Sequence, residues 1–391
     1  MRYKNVNEIL PPELIEAIQE YIQGESIYIF KKEKRAHNAY TEYKIELQKR
    51  NSRIYNQHLE GVNNADLAKY FSLAESSIRR ILIEQRKKYK IMAEKIKGLL
   101  FNWGLQNQKI KQIYSTTWQI GENYVLKVYN DIDSLEINIL INKKLNNMGV
   151  PVGELLLTYF GKPYIEADGE YFFVSKKLKG SNIVNLRFCE KQGKIMGETI
   201  SKLHIAFKSF ENSVEIWDNS LLDELNGWVK DRFAENEWKT LSEIEYKTLV
   251  DNLEENYDKL PVQLIHRDVH FGNFLFDKGV FSGYIDFDLT QKNIRIFDLC
   301  YFVLSVLSEK EKFEISEDKW FDFVKNVFSG YDNILKLTNE EKQSAVFVME
   351  SIEILFLAYF ADQDDSALVE STYNIYKFIA TNEKRITRAI R

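Results

Sequence analysis

Cysteine is scarce. Two stand in 391 residues, Cys189 and Cys300, far apart and outside any C-x-x-C pattern. That excludes a disulfide framework and a cysteine-based zinc site, and two reduced core thiols are expected. The opening M-R-Y-K-N-V-N-E also lacks the apolar run of a signal peptide. Toward the C-terminus the longest apolar run, Ile354 to Phe360, is far shorter than the ~20 residues that cross a bilayer. A cytoplasmic chain with no membrane partner is the expectation. At 45% hydrophobic and 28% charged residues, a chain of this length can bury two or three cores.

The modest net charge of −5 conceals two unlike parts. Residues 1–100 carry 19 Lys and Arg against 13 Asp and Glu, a net of +6, which leaves −11 on the rest. A basic first quarter on an acidic body indicates two modules with different partners.

The most informative stretch runs from Leu264 to Leu299. It reads L-I-H-R-D-V-H-F-G-N-F-L-F, then a turn containing glycine, then G-Y-I-D-F-D-L and I-F-D-L. His266-x-Asp268 is followed by Asn273 five residues after the aspartate, and by Asp286 thirteen residues later. Phosphoryl transfer needs this order: a carboxylate beside the attacking hydroxyl, then an amide oxygen and a second carboxylate for Mg²⁺. Flanking apolar runs read as short strands that hold the polar groups at fixed spacing. The stretch resembles the aminoglycoside phosphotransferase and choline-kinase family, small-molecule kinases with a protein-kinase-like fold.

That resemblance implies roles. Asp268 would accept or orient the proton of the acceptor hydroxyl. Asn273 and Asp286 would bind Mg²⁺, with Asp288 as a further metal-side carboxylate. His266 and Asp298 would brace the loop from behind. After Asp286 the chain reads D-F-D, not D-F-G, and reaches I-F-D-L-C-Y-F within about a dozen residues with no A-P-E segment. No activation loop fits there to dock a polypeptide, so a small hydroxylated acceptor is expected.

From Lys109 onward the pattern is of strands: Ile110 to Tyr114, Thr117 to Ile120, and Tyr124 to Tyr129. Lys127 falls where the family places its strand lysine on the nucleotide phosphates. A buried ammonium needs a partner, and Glu136 in the next helix, S-L-E-I-N-I-L-I-N-K-K-L, is the candidate. An edge-strand lysine in water is the alternative. No G-x-G-x-x-G joins the first two strands, so Ser115, Thr116 and Thr117 hydroxyls and backbone N–H groups would serve the phosphates of ATP or GTP. Gly149-Val-Pro-Val introduces another strand pair. Ser175 to Gly180 is by resemblance the hinge that meets the purine, and His204, ending a helix from Met196, reads as a structural histidine. Residues 211–260 hold 14 acidic groups against 5 basic ones, with Trp217, Trp228 and Trp238 among them. They are either a solvated helical face or a wall for a cationic substrate. The same two readings apply to Glu350, Glu353, Asp362, Asp364 and Asp365.

The first 90 residues read as helices. Pro11-Pro12 opens an amphipathic segment with Leu14, Ile15, Ile18, Tyr21 and Ile22 at helical spacing. An extended piece from Ser26 to Phe30 and the basic run 31–35 precede a helix over Ala39 to Glu60, capped at Gly61. Asn63 or Asn64 caps a short helix, and Ser72-x-x-Glu75 is a capping box opening the next. The second of this pair turns Ser76, Ser77, Arg79 and Arg80 outward, in a helix-turn-helix arrangement. Residues 8–90 resemble the DNA-binding domain of the Mor transcription activator family. The resemblance implies that those four residues contact DNA; a docking or homodimer-forming domain is the alternative.

The expected fold is therefore α+β: a two-lobed protein-kinase-like body preceded by a small all-α helix-turn-helix domain. Residues 1–90 form the helical domain, 91–108 a linker, 109–175 the N-lobe and 176–391 the helical C-lobe. The expected function is transfer of the γ-phosphoryl group of ATP or GTP, with Mg²⁺, to a hydroxyl of a small, aminoglycoside- or choline-like acceptor. The rival is a DNA-binding regulator whose kinase-like body senses a nucleotide or metabolite without turnover.

Overall fold

A single long helix ties the small N-terminal helical core to the sheet that follows it. The computed structural model describes residues 50–59, 61–71, 73–114, 116–216, 218–362 and 366–391. The expectations for 1–49, Ser72, Ser115, Trp217, Asp364, Asp365 and the side chain of Asp362 lie outside the described residues. Residues 52–391 form one compact unit.

Residues 52–59 are helical, and Gly61 ends the helix in the left-handed region at φ 99°, as its position predicts. Helix α1 (Asn64–Tyr70) starts at Asn63, whose side chain accepts the Asp66 N–H at 3.0 Å. Helix α2 (Glu75–Leu99) starts after Ala74, which makes no side-chain cap hydrogen bond. In the turn before it the Leu73 N–H closes back on the Ala68 carbonyl and Leu73 packs on the small core. Glu75 is left to pair with Arg79 at 3.0 Å. That core comprises Ile54, Tyr55, Leu67, Ile78, Ile81 and Leu82.

Through residues 91–99, expected as linker, α2 continues as helix, followed by a 3₁₀ turn, Leu100–Trp103, and Gly104 at φ 72°. Ala93, Ile96 and Leu100 follow helical spacing and are buried against Trp118, Leu126, Phe172 and Val174 of the sheet. Tyr89 stacks on Trp118 with ring centroids 4.9 Å apart, and Lys95 Nζ reaches Glu170 at 2.8 Å.

The sheet holds β1 (Ile110–Tyr114), β2 (Thr117–Ile120), β3 (Tyr124–Tyr129), β4 (Tyr164–Ala167) and β5 (Glu170–Lys176) in the order β1-β2-β3-β5-β4, all antiparallel. The first three strands fall on the predicted residues. Register sorts the two faces. Trp118, Leu126 and Val174 are partners on the side of α2, while Thr117, Lys127 and Phe173 are partners on the other. That other face receives α3 (Ile132–Asn147), whose Leu135 packs with Tyr129 and Phe173.

The remainder is mainly helical: α4 (Cys189–Phe210), α5 (Glu243–Tyr257), α6 (Ile296–Ser308), α7 (Glu317–Ile334), α8 (Asn339–Asp362), α9 (Ser366–Thr381) and α10 (Glu383–Ile390). Two short ladders interrupt it, β6 (Val262–Ile265) with β9 (Gln291–Ile294), and β7 (Phe274–Asp277) with β8 (Val280–Tyr284). Helices α4 and α7 approach closely because Gly193 lies against Phe323 and Asn326, Gly197 against Val327 and Tyr331, and Gly330 against Lys194: a Cβ at Gly197 would lie 2.0 Å from the Val327 carbonyl oxygen. Helix α8 is long and apolar enough to cross a membrane by length and composition, with an 18-residue window of mean hydropathy 1.7 inside Asn339–Ala361, yet 72% of that window is buried inside the fold.

Candidate active site

Strand β6 enters the site and β9 leaves it, so the ladder between them closes a loop whose two ends meet. The β7–β8 hairpin turns at Lys278 and Gly279, both at positive φ (50° and 80°) as a tight two-residue hairpin requires. The Ile285 N–H donates to the Asn273 carbonyl at 3.1 Å. Residues 266–273 and 285–290 are thereby brought side by side, as the sequence order predicts.

Asp268 lies at the centre. Its Oδ1 accepts from the Tyr301 hydroxyl at 2.9 Å, and its Oδ2 from Asn273 Nδ2 at 3.0 Å. The same Nδ2 reaches the Asp268 carbonyl at 2.9 Å, so Asn273 turns its amide oxygen away from this aspartate. The Gly272 N–H donates to His270 Nδ1 at 3.0 Å, which leaves Nε2 as the protonated nitrogen, 3.5 Å from Asp268 Oδ2. Burial works against ionisation of Asp268, but His270 and the Tyr301 hydroxyl hold its carboxyl well below the usual range.

Behind the loop Asp298 is fully buried. It accepts the His266 and Arg267 backbone N–H groups at 2.9 Å each, and His204 Nε2–H at 2.9 Å. Tyr331 donates to His204 Nδ1 at 2.8 Å, which fixes the ring tautomer. His204 is thus a core histidine. His266 donates Nε2–H to the Ile285 carbonyl at 3.2 Å and packs between Phe274 and Phe287. Arg267 sits at φ 71°, with its guanidinium on Glu224 at 2.7 Å and over the Phe297 ring at 4.6 Å.

On the sheet side Lys127 Nζ lies 2.5 Å from Asp286 Oδ1 and 2.9 Å from Asp288 Oδ2. Burial disfavours the ammonium, yet the two carboxylates raise its pKa above the ordinary lysine value. Burial also pushes Asp288 up to about 6, against the pull of Lys127. Asp286 occupies the left-handed region at φ 67°, a strain that turns its carboxylate onto the lysine. The partner of Lys127 is not Glu136, which is exposed and makes no hydrogen bond or ion pair among the described residues. The phase of α3 explains this. Leu135, Asn138, Ile141, Asn142 and Leu145 form its buried face, and position 136 points away. Thr116 is exposed in the β1–β2 turn, its carbonyl accepting the Val128 N–H at 2.8 Å, which holds the turn beside Lys127.

Several site residues escaped the sequence reading. Tyr301 lies one helical turn after Asp298, Tyr129 two strand positions after Lys127, and His270 two residues after Asp268. Each shares a face or a loop with a residue that was identified, which is the signal that could have found it.

Among the described residues no cluster of three His, Cys, Asp or Glu side chains could hold a metal alone. The donor set nevertheless suits Mg²⁺, which takes one or two carboxylates with phosphate oxygens and water rather than an all-protein cage. Asp286 and Asp288 already converge on one cation, the Lys127 ammonium, and Asn273 has its amide oxygen to give.

Of the acidic groups at 211–260, several have partners: Glu224 with Arg267, Glu211 with Lys208, Glu245 with Lys377. Glu353 in α8 differs. It is buried with no hydrogen bond or ion pair among the described residues, one turn before Phe356, whose ring packs 5.9 Å from Tyr301.

Residues 108–323, more than half of the chain, match the phosphotransferase enzyme family. A homoserine kinase from Zymomonas mobilis subsp. mobilis is 26% identical over 172 residues, 43% of this chain and 51% of that protein. The chain thus spans about half the length of this curated relative. An amicoumacin kinase solved with AMP-PNP and Ca²⁺ superposes with a TM-score of 0.57 at 15% identity, over 76% of this chain and 96% of the other. A choline/ethanolamine kinase family protein from Mesorhizobium loti gives 0.52 at 13% identity, over 77% and 99%. The body has the kinase-like α+β fold of these structures.

Proposed function

The chain belongs to the phosphotransferase enzyme family, and on that premise we propose that it transfers the γ-phosphoryl group of ATP or GTP to a hydroxyl of a small acceptor. The observation that carries the reading is the meeting of Asp268 with Asn273, and of Asp286 and Asp288 with Lys127, on two loops held side by side. Asp268, ionised and held by Tyr301 and Asn273, receives and orients the acceptor hydroxyl, which a loose phosphoryl-transfer transition state needs more than strong base catalysis. Lys127 takes the donor phosphates. Asn273, Asp286 and Asp288 would hold Mg²⁺, which would neutralise charge on the phosphate oxygens. His266 and Asp298 keep the loop in place, and the turn at Thr116 covers the phosphates from above.

The acceptor we propose is an amino alcohol. Homoserine, choline and ethanolamine, the compounds in the relatives' names, each pair a hydroxyl with an amine or ammonium. Glu353 supports an acceptor with an N–H donor, being a buried carboxyl group without a partner among the described residues, beside the aromatic shell of Tyr301.

The test is calorimetric titration of ATP and GTP, with and without Mg²⁺, into the native chain and Asp286→Ala. Binding that Mg²⁺ strengthens and the substitution weakens is the expected result. No binding by either protein sinks the reading and leaves a body without donor chemistry.

A second reading concerns residues 52–90, outside the family match. The α1–turn–α2 pair exposes Ser76, Arg79 and Arg80 on one helix, with Ser77 half-buried, and supports DNA binding by this module. Arg79→Ala with Arg80→Ala should then weaken retention of DNA fragments in a binding-site selection. Unchanged retention would favour the dimerisation alternative.

A further inference from the structure

Helix α3 reaches the cleft without a charge. Its Glu136 faces solvent, and the residue that points inward two positions on is Asn138, almost wholly buried. Asn138 Nδ2 donates to the Tyr129 hydroxyl oxygen at 2.9 Å. That hydroxyl donates to Asp288 Oδ1 at 2.8 Å, and Asp288 Oδ2 accepts from Lys127 Nζ at 2.9 Å. The other end of the Asn138 amide is also committed. Its Oδ1 accepts from Asn142 Nδ2 at 2.7 Å and from the backbone N–H of Phe287, between the two aspartates, at 3.3 Å.

We infer that Asn138 and Tyr129 are positioning residues for the phosphoryl donor, setting the Asp288 carboxylate, and through it Lys127, by neutral hydrogen bonds from α3. The inference rests on the phosphotransferase reading of the same cleft. Direction along the chain is fixed at every link. With Nδ2 donating to the Tyr129 oxygen, the tyrosine proton must point at Asp288, and a flipped amide would set donor against donor at Asn142 and Phe287. A carboxylate from α3 would bring a third negative charge beside Asp286 and Asp288 around one lysine, whereas an amide brings none. Buried networks of this kind hold a geometry only when every member is satisfied, and here each one is.

The test uses the full chain and calorimetric binding of ATP with and without Mg²⁺, with circular dichroism to confirm folding. Tyr129→Phe should weaken Mg²⁺-dependent ATP binding about tenfold, the worth of one hydrogen bond to a charged group. ATP binding without Mg²⁺ should change much less, because Asp288 has least to do there. Asn138→Ala should act in the same direction, and the double variant should be no worse than the weaker-binding single one. Glu136→Gln should bind as the native chain does. Additive losses, equal losses with and without Mg²⁺, or a comparable loss in Glu136→Gln each overturn the inference. If Asn138→Ala does not fold, the contrast between Tyr129→Phe and Glu136→Gln decides alone. A native chain that binds no nucleotide overturns the phosphotransferase reading, and the inference with it.

Discussion

Replacing Asp298 by Asn removes one charge and almost no volume, so its effect isolates what that carboxylate does. Three donors point at it: the backbone N–H groups of His266 and Arg267, and His204 Nε2–H, each at 2.9 Å. Oδ2 takes two of them and Oδ1 one. An asparagine can keep at best the two on one oxygen, and its own Nδ2 must then face the Arg267 N–H, donor against donor. The lost bond to a charged acceptor costs about 1.5–3 kcal/mol, and the unsatisfied buried donors add about 1–3 kcal/mol. A total loss of roughly 3–5 kcal/mol follows, in the range that marks a broken buried network. Urea unfolding followed by circular dichroism at pH 7 measures it directly. A second consequence is local. With the Arg267 N–H released, the residue at φ 71° loses the bond that holds it there, and Asp268 next to it loses its fixed position. Magnesium-dependent nucleotide binding should fall in the same variant under conditions where it is still folded. A loss below about 1 kcal/mol, with nucleotide binding intact, would refute the reasoning, since it would mean that Asp298 is not the acceptor that organises the loop.

Burial pushes the Glu353 carboxyl from 4.5 up to about 8, so the folded protein keeps a proton that the unfolded chain gives up, and stability falls as pH rises from about 4.5 to 8. Glu353→Gln should remove that share of the decline, leaving the smaller one from Glu350, which burial raises to about 7, and stabilise the protein above pH 8 by up to roughly 5 kcal/mol, read from urea midpoints across pH. Gly197→Ala places a methyl group against the Val327 carbonyl and the Tyr331 N–H, backbone atoms that cannot yield. It should cost about 3 kcal/mol or more and loosen the His204–Tyr331 contact; an unchanged urea midpoint would show that α4 and α7 can move apart freely. Asp268→Asn should lower kcat by about 10²–10⁴-fold while leaving Mg²⁺-dependent nucleotide affinity in place, measured by ATP consumption with an amino-alcohol acceptor. A fall in nucleotide affinity alone would place Asp268 on the donor side instead.

What could be read from the sequence, and what could not, divides along a physical line. Strands β1 to β3 were legible because alternation is a property of a few adjacent residues, and the order of Asp268, Asn273 and Asp286 was legible because their loops are joined by short ladders. The partner of Lys127 was not. Sequence spacing identifies the helix that follows β3, but the face it presents is decided by which apolar side chains win the core. Leu135, Ile141 and Leu145 win it, and they carry Asn138 inward and Glu136 outward. Aspartates from a loop more than 150 residues away then supply the charge that the helix does not. Residues 91–108 read as a linker, whereas Ala93, Ile96 and Leu100 carry the helix onto the sheet. That continuity bears on function. Trp118, which meets α2, neighbours Thr117, and its strand partner Leu126 neighbours Lys127; the two sets face opposite sides of the same strands. Any coupling between a ligand on the Lys127 face and a partner of α2 would pass through these strands, and it would be reciprocal by thermodynamic necessity.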